Sequence, residues 1–170
     1  METIEALIHR RSCRNYSDRP VEAEKLARII EAGQYAPSGM GRQPVTFDAP
    51  FGRVGLSICY DLRFPELFRA LGEIDLLVLP AAFTEVTGRA HWEILLRARA
   101  IENLAYVLAP AQGGQHENGR RTWGHSMCID PWGQVQAQQA QGPGVVLGTL
   151  ERPRMQAWRE QLPALEHRIL

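Results

Sequence analysis

From residue 54 onward, stretches that read as strands alternate with stretches that read as helices, and this alternation is the tightest constraint on the fold. VGLSIC (54–59), IDLLVLP (74–80) and AYVLAPA (105–111) are apolar runs of strand length. Between the first two, PELFRALG (65–72) reads as a helix with Pro65 in its first turn, where a missing N–H does no harm. RAHWEILLRARAIENL (89–104) is a second helix, with Trp92, Leu95, Leu96, Arg99 and Asn103 at mixed helical spacings. HSMCIDPWGQVQAQ (125–138) reads as a hairpin turning at Pro131–Gly133. VVLGTLE (145–151) reads as a further strand and PRMQAWREQL (153–162) as a final helix. Strands separated by helices place this region in the α/β class, a sheet covered by helices.

The first 47 residues differ in character. Ile4, Leu7 and Ile8 recur at helical spacing, and so do Leu26, Ile29 and Ile30 in VEAEKLARIIEAGQYA. The loop APSGMGRQP (36–44) holds two glycines and two prolines, which exclude regular structure. The expected organisation is therefore a helical segment over 1–47 and an α/β domain over 48–170.

Composition narrows the function classes. Acids and bases balance at 19 each, so no net field favours nucleic acid or an anionic membrane as partner. No apolar run approaches the roughly 18 residues of a membrane helix. Cys13, Cys59 and Cys128 are odd in number, widely spaced and without a CxxC pair, which argues against a disulfide framework and against a zinc site. A reduced, cytoplasmic setting is expected. Among the 19 basic residues, Lys25 is the only lysine.

Cys59 ends an apolar run and precedes a helix signal. A tight strand-to-helix turn exposes a thiol and sets backbone N–H groups beside it, with Tyr60 N–H as the first donor; such donors favour thiolate and a developing oxyanion. A lone cysteine in an apolar run is more commonly core, and the pattern leaves both readings open. Cys128, alternating inward on a strand, reads as core. His125 and Asp130 read as loop and turn residues, and Glu102 as the partner of a neighbouring arginine. His91 and Trp92 suit a packing role and a substrate contact equally. Trp123, Trp132 and Trp158 read as apolar anchors, and His116 has no partners at ligand spacing.

GRVGLSICYDLRFPELFRAL resembles the nucleophile segment of the carbon–nitrogen hydrolase (nitrilase) superfamily. The resemblance continues through AHWEILLRARAIEN and GHSMCIDPWG to LPALEHR, covering about residues 46–169. It is greatest to the branch containing deaminated-glutathione amidase and omega-amidase-type enzymes. It implies an α-β-β-α sandwich and hydrolysis of a small carboxylate-bearing amide through a thioester, with Cys59 as nucleophile and Tyr60 N–H as oxyanion donor. The family also uses a glutamate base and a lysine, both upstream of the cysteine. Neither can be carried onto this sequence: Lys25 sits among Glu22, Glu24 and Glu31 as a solvated residue would, and Glu66 and Glu93 match other family positions. The connection after Phe68 is shorter than usual. An impaired catalyst is therefore expected.

The front segment resembles the opening of the FMN-dependent nitroreductases, through Arg10, Arg11, Ser12 and Arg14 and through the 36–44 loop, in which Gly41 stands where asparagine is frequent. That resemblance implies FMN phosphate binding by the arginine cluster; a solvated helix end complementing the helix dipole is the plainer reading. The chain thus reads as two families joined near Val45–Ala49, with no cofactor expected for the hydrolase, FMN as the alternative, and a homo-oligomer expected because half a sandwich leaves an apolar face uncovered.

Overall fold

The structure, a computed structural model, describes residues 22, 24, 25 and 44–167. The arginine cluster Arg10, Arg11, Ser12 and Arg14, the 36–44 loop up to residue 43, and most of the two helices expected before residue 44 lie outside the described residues. Lys25 is described and forms an ion pair with Glu22 at 2.8 Å, both side chains mostly exposed.

Six strands form one mixed sheet. In chain order the elements are β1 (Val45–Ala49), β2 (Gly52–Leu56), a 3-10 turn (Cys59–Arg63), α1 (Pro65–Ala70), β3 (Leu76–Val78), α2 (Glu85–Asn103), β4 (Tyr106–Ala109), β5 (Gly113–Gln115), β6 (Arg121–Trp123), β7 (Ser126–Ile129), β8 (Val135–Gln139) and α3 (Arg152–Gln161). The spatial order is β1-β2-β3-β4-β7-β8, with β5-β6 as a separate two-stranded ribbon. β2, β3 and β4 run parallel, because each is joined to the next through helix; β1 and the β7–β8 hairpin are antiparallel additions at the two sides.

The two sheet faces are unequally covered. On one, α1 and α2 pack Phe68, Trp92, Leu96 and Ala100 over Leu77, Val107 and Ile129, giving the main core. Helix α2 can lie close to β6 because residue 88 is glycine; a Cβ there would collide with Trp123. The helix stops at Leu104, whose left-handed backbone (φ 44°) breaks the repeat. The opposite face holds a smaller cluster of Val54, Leu76, Tyr106 and Met155 from α3. Tyr106 Oη accepts a hydrogen bond from Glu151 N at 3.0 Å, and burial raises the phenol's pKa above its usual value. Residues paired directly across neighbouring strands share a face. The register therefore sets Val45, Leu56, Val78, Leu108, Cys128 and Ala137 in one row across all six strands. Val45 and Leu56 in that row are 53% and 40% exposed.

The strand expected at 145–151 does not form. Its backbone is met by a side chain instead of a ladder: Gln136 Nε2 donates to Thr149 O and Gln136 Oε1 accepts from Thr149 N, both at 3.2 Å. Val145 and Leu147 stand exposed. The Gly- and Gln-rich stretch after Ala111 makes the β5–β6 ribbon.

Candidate active site

The parallel strands deliver three chain segments to one place. Beyond β2, Ser57 N donates to Val78 O (3.0 Å) and Cys59 N to Pro80 O (2.9 Å); beyond β3, Ala81 N donates to Pro110 O (2.9 Å). These bonds extend the parallel ladder in steps past the ends of the strands. The result is a cleft of about 530 Å³ walled by Ile58–Cys59, Pro80–Ala82, Pro110–Gln112 and Ser126. Open α/β sheets place their ligand sites at this carboxyl end. Ser126 fixes one wall, its Oγ accepting from Ala111 N at 2.8 Å.

Cys59 is not the last residue of a strand, as its apolar run suggested. It is the first residue of the 3-10 turn, in the left-handed backbone region (φ 47°). A non-glycine residue there is uncommon and persists only where its surroundings hold it. Two contacts do so. Asp61, buried, accepts from Ile58 N at 2.8 Å, closing the front of the turn. Arg99, from α2, donates through both Nε (3.1 Å) and Nη2 (2.7 Å) to Leu62 O, holding its rear. Ile58 N, Cys59 N and Asp61 N all have partners; among the described residues Tyr60 N has none. The first uncommitted donor after the thiol is therefore the one the sequence pointed to. The sequence signal for Asp61 was present, an acid three residues after the position preceding a helical turn; Arg99 carried no local signal.

No aspartate, glutamate or lysine lines the cleft among the described residues. Glu102 is engaged elsewhere, at 2.8 Å from Arg99 and 3.7 Å from Arg69, the arginine pairing expected for it. Glu93 pairs with Arg97 at 3.4 Å. Trp92 is core, wholly buried, with Nε1 donating to His125 O at 2.8 Å. His91 Nδ1 lies 3.2 Å from Arg63 Nη1, which donates to it, and the Arg63 guanidinium stacks over Tyr60 and Phe83. His125 stacks on Trp123 at 4.1 Å, and Asp130 Oδ1 accepts from Trp132 N and Gln134 N, which fixes the β7–β8 turn as expected. His116 bonds Thr122 within the ribbon at 2.7 Å. Cys128 is buried, and burial raises its thiol pKa, so it is a core residue as read from the sequence. The described residues hold no cluster of three metal-binding side chains.

Comparison with known proteins agrees with this architecture. The chain matches the carbon-nitrogen hydrolase family over residues 20–160, a span that includes part of the segment whose motifs resemble the nitroreductases. It is 49% identical over 142 residues to the deaminated glutathione amidase of Synechocystis sp., covering 82% of this chain and 50% of that protein. Among solved structures, Saccharomyces cerevisiae Nit3, a member of branch 10 of the nitrilase superfamily, superposes with a TM-score of 0.71 at 30% identity, over 78% of this chain and 49% of the other. A mutant amidase from Nesterenkonia sp., showing covalent addition of the acetamide moiety of fluoroacetamide at its active-site cysteine, superposes with a TM-score of 0.59 at 27% identity, over 75% and 45%. The chain spans about half the length of the curated relatives it matches.

Proposed function

Because this chain belongs to the carbon–nitrogen hydrolase family, we propose that its cleft is the nucleophile half of an amidase site. The observation that carries the reading is Cys59, held in a left-handed turn at the open end of three parallel strands, with an uncommitted N–H at Tyr60. In the proposed reaction the Cys59 sulfur attacks the carbonyl carbon of a small amide. The developing oxyanion is met by Tyr60 N–H. The C–N bond then breaks and the nitrogen leaves as ammonia, carrying the proton that the thiol gave up on attack. Water hydrolyses the thioester, releasing the acid and restoring the thiol. The relatives' name, deaminated glutathione amidase, supports a carboxylate-bearing amide as substrate class. Arg63, on the same turn as Cys59 and without a carboxylate partner among the described residues, is the nearest cation in sequence.

The experiment is acylation by an activated aryl ester, whose leaving group departs without a general acid. The wild type is expected to gain one acyl mass on the peptide containing Cys59, and Cys59→Ala none. Equal labelling of Cys59 and Cys128, or none at Cys59, contradicts the reading.

A second reading rests on Arg10, Arg11 and Arg14, whose guanidinium forks suit an FMN phosphate, together with Ser12. It expects a yellow protein or saturable quenching of added FMN fluorescence. A homo-oligomer is proposed on the exposed apolar end of the sheet row, Val45 and Leu56. A compact monomer in size-exclusion chromatography contradicts it.

A further inference from the structure

We infer that Arg99 is a positioning residue for Cys59, acting on the nucleophile through the carbonyl of Leu62; the inference rests on the amidase reading above. Leu62 lies inside the turn that begins at Cys59, and its carbonyl is gripped by two nitrogens of one guanidinium, at 3.1 and 2.7 Å. The third nitrogen is taken by Glu102 at 2.8 Å, and the guanidinium plane covers Phe68 at 5.0 Å. Arg99 is 5% exposed, so the fork is fixed by packing as well as by bonds. Its backbone is anchored too, since Asn103 Nδ2 donates to Arg99 O at 2.8 Å.

Each part of this arrangement is wasted on a residue that only fills the core. A buried charge is costly, and an apolar side chain of similar volume would pack at no such penalty. What a guanidinium supplies is geometry: a planar fork that fixes both the position and the orientation of its acceptor. That acceptor belongs to the one turn in the described residues that opens on a left-handed cysteine. Without the fork, the Leu62 carbonyl loses both its donors; Asp61 on Ile58 N and the bond from Cys59 N to Pro80 O still hold the front of the turn, but its rear is released and the Cys59–Tyr60 unit can relax towards ordinary backbone angles. Sulfur and oxyanion donor would then no longer present together. Displacements of this kind, well away from the reacting atoms, cost roughly a hundredfold in rate.

Arg99→Lys tests this, because lysine keeps the charge beside Glu102 and most of the aliphatic stem while removing the fork. The Cys59 acylation rate constant at saturating ester is expected to fall roughly ten- to hundredfold, with the half-saturating ester concentration unchanged. Amide hydrogen exchange should accelerate in the peptide spanning 57–64 and stay as in the wild type across α2 and β4. A variant that acylates at the wild-type rate overturns the inference. So does exchange that rises uniformly across α2 and β4 while the rate per folded molecule is unchanged, since that is a purely structural role. Absence of acylation in the wild type overturns the amidase reading itself, and this inference with it, and is recognised without any variant.

Discussion

Ammonia release from small, glutamine-like amides is expected to run several powers of ten below that of a complete site, and Cys59→Ala is expected to erase what remains. The reason is chemical. The thiolate, not the thiol, is the nucleophile, so the attack needs a base to take the proton. A positioned base typically contributes about 10²–10⁴-fold, and charge stabilisation of a tetrahedral intermediate a further 10²–10³-fold per donor. The described cleft offers neither carboxylate nor ammonium: its walls are Ile58, prolines, alanines, Gln112 and Ser126 beside Cys59. Lys25, the only lysine in the sequence, is paired with Glu22 and largely solvated. A coupled ammonia assay on wild type and Cys59→Ala reads the outcome. Rapid turnover that the substitution abolishes would show that a base and a cation reach the sulfur after all.

Arg159→Ala is expected to cost about 3–5 kcal/mol of stability, the range for removing one partner from a buried charged network. Its guanidinium donates to Leu104 O through Nε (3.1 Å) and Nη2 (2.9 Å), and to Ile74 O through Nη2 (2.7 Å). It thereby closes the carbonyl end of α2, ties that end to the approach of β3 and lies 3.5 Å from Asp75. Asp75 in turn accepts from Arg53 N at 2.7 Å, so the network also reaches β2. The 2.8 Å contact with Glu73 adds little, because Glu73 is 67% exposed. Alanine would leave the Leu104 and Ile74 carbonyls without the guanidinium donor and remove the cation nearest Asp75 Oδ1, while Arg53 N would still donate to the other carboxylate oxygen. Urea unfolding should show a lowered midpoint with an unchanged slope. A loss below about 1 kcal/mol would mean that water replaces the guanidinium and that α3 is only loosely docked.

Strands β2, β3 and β4 were legible because each is an apolar run bounded by turn residues. Helices α2 and α3 were legible from periodicity. The motif singled out Cys59, while its backbone conformation was not legible, since a left-handed residue leaves no mark in an apolar run. The β5–β6 ribbon was missed because glycine and glutamine have little strand preference; its pairing is fixed by position beside α2, where Trp123 covers Gly88. The opposite error occurred at 145–151. VVLGTLE has strand composition, but Gln136 satisfies its backbone from the side, and composition cannot reveal which neighbour will do so. The grip of Arg99 on Leu62 joins residues 37 positions apart in the chain and depends wholly on how α2 crosses the turn.

The exposed end of the row across the sheet, Val45 and Leu56, has a calorimetric consequence. Surface that is already hydrated in the folded protein contributes nothing further when the chain unfolds, so the heat-capacity increment should be smaller than the chain length implies. Whatever shields that row will move the melting temperature by mass action, making thermal stability a property of concentration and company as much as of sequence.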